Sequence, residues 1–202
     1  MKTIAAFVFL GFETLDYFGP IEMLGGFAGQ SKIITVAQTL DPVASVHGQR
    51  IVPDATLDQK DDYDLILIPG GDAALNLLQD QPLLDWINRA STNAEKVMAV
   101  CTGTILLGAS GVLDGRRATT NKMDFTATVP LVPNVTWVKQ ARWVQDGKFY
   151  TSSGVSAGMD MALAVMADLY GDDTATKLAI SCEYEWHKDP DRDPFAKLAG
   201  LV

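Results

Sequence analysis

The chain has 202 residues, 48% of them hydrophobic and 20% charged, and its 16 Lys and Arg against 25 Asp and Glu give a net charge of −9. That much apolar material supports one sizeable core and excludes disordered, fibrous and disulfide-miniprotein chains, while an acidic surface disfavours nucleic acid as a partner. Only two cysteines, Cys101 and Cys182, and two histidines, His47 and His187, are present, so no dense Cys/His zinc site is expected.

The apolar run Ile4–Leu10 reads as a first buried strand. It lacks the length and cleavage site of a secretory leader, and no later stretch reaches the ~20 apolar residues of a membrane span. A cytoplasmic location with free thiols is the expectation. Tyr17–Ala28 reads as a helix, with Pro20 placed in its first turn, where N–H groups have no intrahelical partner. Lys32–Ala37 is the next strand, and Val43–Ala55 reads as irregular or hairpin structure around His47-Gly48. Asp64–Ile68 is a continuous apolar run, the pattern of a parallel strand buried on both faces, and it ends in Pro69-Gly70-Gly71.

Helical stretches follow near Ala73–Leu78 and Pro82–Ser91. Lys96–Val100 is another apolar strand, broken by Cys101-Thr102-Gly103 and followed by a helix through Ala109 that Gly111 ends. Arg117–Thr120, Val135–Val138, Ala141–Val144 and Phe149–Thr151 read as strands, the last two joined by a turn at Asp146-Gly147. Ala157–Leu169 and Asp173–Tyr184 read as the closing helices. Strands alternating with helices over short connections predict a doubly wound α/β sheet in a single domain spanning residues 1–202.

Cys101 falls between a buried strand and a helix, where a sharp turn presents a side chain at the carboxyl edge of the sheet. A helix N-terminus behind it favours thiolate, the reactive form, and Gly103 permits the tight turn. Pro69-Gly70-Gly71 ends the preceding strand, where a Gly71 N–H together with the Thr102 N–H could form an oxyanion site. A carboxylate follows the first strand. Asp16 is preferred and Glu13 is the alternative, since either beside a thiol would share a proton with it and serve as a general acid. Capping of the following helix is a further role open to Asp16.

These residues also carry a family resemblance. The segment Val100–Thr120, beginning Val100-Cys101-Thr102-Gly103, strongly resembles the DJ-1/PfpI superfamily and within it the isocyanide hydratase branch. Leu15–Pro20, Ile68–Gly71 and Ser153–Leu163 agree, in the same order. The resemblance implies a flavodoxin-like sandwich with a mostly parallel central sheet and a nucleophile elbow, assembled as a homodimer. It implies no cofactor, no metal and a small-molecule substrate, with neither nucleic acid nor membrane as partner. It makes Cys101 the nucleophile that forms a thioimidate with an isocyanide, Asp16 the acid/base and Thr102 a positioning residue. Gly71, with Gly70 beside it, supplies a backbone donor, and the product is an N-substituted formamide. The wider superfamily also implies a glyoxalase- or deglycase-like enzyme, or a ligand- or redox-sensing domain, as alternatives.

Two departures from related sequences stand out. Protease-like members carry His directly after the nucleophile, where this chain has Thr102, and neither His47 nor His187 is near it in sequence. Hydratase- and regulator-like relatives often continue Ala-Thr-Thr into His-Trp, where this chain has Asn121-Lys122, so the pocket wall is expected to differ. Ser156 has no evident partners for nucleophilic work and reads as packing or ligand contact. Cys182, placed in the last helix, and Met159, Met161 and Met166 read as core. The tail from Trp186 to Pro194 reads as surface or dimer-edge structure.

Overall fold

The computed structural model describes residues 1–26 and 31–202. In chain order the elements are β1 (Lys2–Phe7), α1 (Thr14–Gly25), β2 (Ser31–Ala37), β3 (Val43–Ala44), β4 (Arg50–Ile51), β5 (Ala55–Thr56) and β6 (Leu65–Ile68). A 3-10 segment, Asp72–Leu77, leads into α2 (Gln81–Asn93), β7 (Lys96–Val100), α3 (Gly103–Ala109), β8 (Arg117–Ala118) and α4 (Phe125–Thr128). After β9 (Thr136–Trp137), β10 (Trp143–Asp146) and β11 (Phe149–Ser152) come α5 (Ala157–Tyr170), α6 (Asp172–Ser181) and α7 (Pro194–Leu198).

The main sheet has seven strands in the order β10-β11-β7-β6-β1-β2-β5. Every pairing is parallel except β10 with β11. This is the predicted α/β architecture with a mostly parallel sheet. All four residues of β6 are buried, as are Val97–Val100 of β7. Helices covering both faces leave such strands no polar position, which is why they read as unbroken apolar runs. Helices α1, α5 and α6 pack together, as do α2 and α3. Met161 and Met166 are buried and Met159 packs against the core, as expected.

The chain runs outward from β1 to β2 and β5, then returns to β6 and continues to β7 and β11 on the other side. The order therefore reverses between β1 and β6. In open α/β sheets a ligand crevice forms at the carboxyl ends of the strands at such a switch point.

Several boundaries differ from the sequence-based expectation. Helix α1 begins at Thr14, three residues early, because Glu13 takes the N-cap position without a side-chain cap. The expected helix end at Phe27-Ala28 lies outside the described residues. Pro20 consequently sits inside α1 rather than in its first turn, and it removes the hydrogen bond its position would donate to the Asp16 carbonyl. The β10–β11 loop is Gly147-Lys148, since Asp146 still pairs with Phe149. Helix α6 stops at Ser181, which leaves Cys182 as a half-buried C-cap rather than a helical core residue. The short helices α4 and α7 were not expected. Asp193-Pro194 is nevertheless a helix-start signature, an Asp N-cap followed by Pro at the first position.

Candidate active site

Three adjacent strands deliver the site. Cys101 follows the last residue of β7, Gly70 and Gly71 follow β6, and the Gly11–Asp16 stretch follows β1. Cys101 has φ of +55°, a left-handed conformation that costs a residue with a β-carbon roughly 1–3 kcal/mol. Surrounding hydrogen bonds hold it there. Its N–H donates to the Ser152 carbonyl at 3.2 Å, and its own carbonyl accepts from Thr104 N–H at 3.2 Å and from Thr120 Oγ1 at 2.7 Å. A β-carbon on Gly103 would stand 2.6 Å from the Pro69 carbonyl oxygen and closer still to that of Ile68. Both are backbone atoms that cannot yield, so the elbow requires glycine there.

Asp16 is fully buried in the first turn of α1. It caps nothing. Its Oδ2 accepts from Gly70 N–H at 2.9 Å across the switch point, while Oδ1 is buried without a hydrogen-bond partner. A β-carbon at Gly70 would lie 2.7 Å from Thr102 N and 2.9 Å from Asp16 Oδ2, so glycine also lets these loops close on one another. Burial pushes the Asp16 carboxyl up to about 8, and nearby Glu13 adds to the rise against the Gly70 hydrogen bond. Near neutral pH Asp16 is therefore a carboxylic acid whose proton has no internal acceptor.

The same burial corrects the expectation of a thiolate. Desolvation and the Asp16 carboxylate push the Cys101 thiol up to about 12. Thr102 N–H, the Asn121 side chain and Val155 N–H oppose that rise without cancelling it. The resting pair is a thiol beside a carboxylic acid.

Thr102 and Gly71 meet, in a different way from that expected. Gly71 N–H donates to Thr102 Oγ1 at 2.9 Å, and Thr102 Oγ1 donates to the Gly71 carbonyl at 3.0 Å. The Gly71 N–H is thus already engaged and is not a free oxyanion donor. Gly70 N–H is likewise held by Asp16. The Thr102 hydroxyl ties the β6 and β7 loops together rather than facing open space.

A cavity of about 90 Å³ opens above the thiol, lined by Glu13, Val46, Gly71, Asp72, Cys101, Thr102, Asn121, Asp124 and Val155. Three carboxylates line it, and no cation does. Glu13, the alternative acid, is on its wall with Oε1 3.8 Å from His47 Nδ1. His47 is exposed and also meets Thr14 Oγ1 at 2.9 Å, at the rim rather than at the sulfur. His187 lines a different cavity with Arg142, Ser156 and Arg192, and Ser156 Oγ accepts from Arg142 at 3.2 Å. Neither histidine joins Cys101 in its cavity.

Val46, Asp72, Asn121, Asp124 and Val155 line the cavity and are the site residues that sequence reasoning did not assign. Asn121 was visible only as a departure from related sequences. Val155 has φ of +43°, an outlier for a β-branched residue. Among the described residues no group of three or more His, Cys, Asp or Glu side chains is placed to hold a metal ion. Among them, too, no helix is long and apolar enough to cross a membrane.

A flavodoxin-like α/β sheet with a cysteine in a strained strand-to-helix turn, one strand from its switch point, defines the class of fold to which the chain belongs. Residues 2–168 match the DJ-1/PfpI family, and the chain belongs to that family. It is 36% identical over 174 residues to the isonitrile hydratase of Pseudomonas putida, covering 85% of this chain and 74% of that protein. It is 29% identical to a Bacillus subtilis protein named as an uncharacterized protease, over 73% of this chain and 71% of that one. Among solved structures, a THiJ/PfpI family protein from Pseudomonas syringae superposes with a TM-score of 0.83 at 33% identity, covering 96% of this chain and 76% of that chain. The family thus includes enzymes.

Proposed function

We propose that the protein hydrates isocyanides, also called isonitriles, to N-substituted formamides through a covalent adduct on Cys101. The observation that carries this reading is the buried Asp16 acid beside an elbow thiol, Cys101, that opens into a small cavity with no histidine in its lining. An isocyanide carbon is nucleophilic until it is protonated and electrophilic afterwards, so the reaction needs an acid before it needs a thiolate. Asp16 gives its proton to the terminal carbon, the Cys101 sulfur bonds to that carbon, and the thiol proton passes to the Asp16 carboxylate. Water then adds across the C=N bond of the thioimidate, oxygen to carbon and hydrogen to nitrogen. The tetrahedral adduct collapses with cleavage of the C–S bond, its hydroxyl proton returns to sulfur, and the formamide leaves. Two modest barriers replace one high one.

The lining carboxylates suit this chemistry. Protonation leaves positive charge on the nitrilium-like carbon and nitrogen, and Glu13, Asp72 and Asp124 surround the space it would occupy. The same charges oppose anionic electrophiles. Aminoethyl methanethiosulfonate is therefore expected to label Cys101 at least about tenfold faster than the sulfonatoethyl reagent at low ionic strength, the ratio shrinking as salt screens the carboxylates. Equal rates would remove the electrostatic part of this reading.

The decisive experiment incubates the protein with a panel of alkyl and aryl isocyanides and follows formamide by NMR. Absence of turnover across the panel sinks the hydratase reading, and lactate from methylglyoxal would assign the thiol to carbonyl chemistry instead. We further propose that the chain acts as one domain and as a homodimer. Family resemblance supports the dimer, and Leu10, Phe18 and Val46 are exposed apolar side chains that such an interface could cover. Sedimentation equilibrium is expected to return twice the chain mass, and a monomer mass at every concentration would refute the assembly.

A further inference from the structure

Lys122 is a buried lysine beside a reactive centre. Its side chain is 1% exposed, and the Asp193 carboxylate facing it at 3.3 Å is 0% exposed. Burial lowers the affinity of Lys122 for its proton, and Asp193 partly restores it. Withdrawing two charges from water is costly, and apolar replacements of such pairs are often neutral or stabilising. Stability alone is thus a poor reason for this pair, whereas the bonds it makes lead to the nucleophile.

Lys122 Nζ donates to Thr119 Oγ1 at 2.6 Å and to the Thr120 carbonyl at 3.1 Å. Thr120 Oγ1 in turn donates to the carbonyl of Cys101 at 2.7 Å, the residue with φ of +55°. Asn121, between Thr120 and Lys122, lines the thiol cavity. Its amide orientation is fixed, with Oδ1 accepting from Met123 N–H at 2.8 Å and Nδ2 donating to Asp124 Oδ2 at 2.8 Å. On the far side, Asp193 Oδ1 accepts from Phe195 N–H at 2.9 Å and caps α7. Nearby, Arg142 N–H donates to the Pro190 carbonyl at 2.6 Å. The tail lies mostly on the surface, as expected, but its one buried residue, Asp193, fastens it to the segment that carries Asn121 of the cavity wall.

We propose that Lys122 is a positioning residue for Cys101: paired with Asp193, it clamps Thr119–Asn121 against the elbow and holds the strained cysteine and the Asn121 amide in their working geometry. The inference rests on Cys101 as the nucleophile, and not on which electrophile it attacks. Its test therefore reads the thiol directly and stays separate from the hydratase assay.

In the full-length protein, alkylation of Cys101 by iodoacetamide is followed against pH. Peptide mass distinguishes Cys101 from Cys182, and thermal unfolding is measured alongside. Lys122→Met leaves the buried Asp193 without its opposite charge and is expected to lower stability, while Lys122→Met/Asp193→Leu removes both charges and recovers much of it. In both variants Cys101 alkylation is expected to slow at least about fivefold and its pH midpoint to rise by about half a unit or more, as the donors facing the sulfur lose their placement. A purely structural pair would move the unfolding temperature and leave that midpoint in place. Should the double variant not fold, Lys122→Met assayed below its unfolding temperature carries the same comparison. A wild-type rate and midpoint in the folded variant overturns the proposal.

Discussion

Replacing Cys101 by Ala is expected to abolish formamide production from every isocyanide the wild-type protein accepts, a loss on the order of 10⁴-fold or more in kcat. No second cysteine and no serine lines the cavity, and the Thr102 hydroxyl there is engaged by Gly71. Cys182 is at the far end of α6, and Ser156 Oγ is bonded to Arg142 away from the thiol. The substitution removes only a buried sulfur and keeps the backbone turn, so circular dichroism should be unchanged. The wild-type protein, quenched in acid during turnover, should gain the full mass of the isocyanide at Cys101, because addition expels no leaving group. The adduct should be absent from Cys101→Ala. Undiminished turnover in Cys101→Ala would eliminate covalent catalysis, even if the protein proved to be a hydratase.

How much of this was legible in the sequence follows from where each force acts. The strands ending at Ile68 and Val100 could be read directly, because burial on both faces leaves no polar interruption. Cys101 could be read as well, since a thiol between such a strand and a Gly-containing helix start has few other geometries. The start of α1 could not, because Glu13 makes no side-chain cap and leaves no local signal. The engagement of Gly71 by Thr102 joins residues 31 positions apart, and no local pattern announces it. The thiolate expectation failed for a related reason. A helix N-terminus is visible in sequence, but the depth at which the pair is buried depends on loops from three strands closing over it. Lys122 shows the same limit: the sequence marks Asn121-Lys122 only as a departure in the pocket wall, and the ion pair with the distant Asp193 has no local signal.

Asp16→Asn is expected to lower kcat by about 10²–10⁴-fold, the usual contribution of a positioned general acid, while making the protein more stable at neutral pH. The two effects share one cause. Burial raises the folded carboxyl from 3.8 to about 8, so the folded state keeps a proton that the unfolded chain releases above its ordinary carboxylate pKa. The contribution of Asp16 to stability is therefore fully present below about pH 4, declines as pH rises, and is lost by about pH 8. Asparagine is neutral throughout and can still accept from Gly70 N–H. The unfolding temperature of Asp16→Asn should thus match wild type near pH 4 and exceed it by roughly 4 °C or more near pH 8, corresponding to at least ~1 kcal/mol in a chain of this size. Activity follows the same titration with the opposite benefit. Wild-type kcat/KM should fall as pH rises through about 8, because ionised Asp16 has no proton to give to carbon. That limb should vanish from the residual activity of the variant. If Asp16→Asn instead turns over at the wild-type rate, or keeps the alkaline limb, the proton donor is another group, and Glu13 on the cavity wall becomes the next residue to replace.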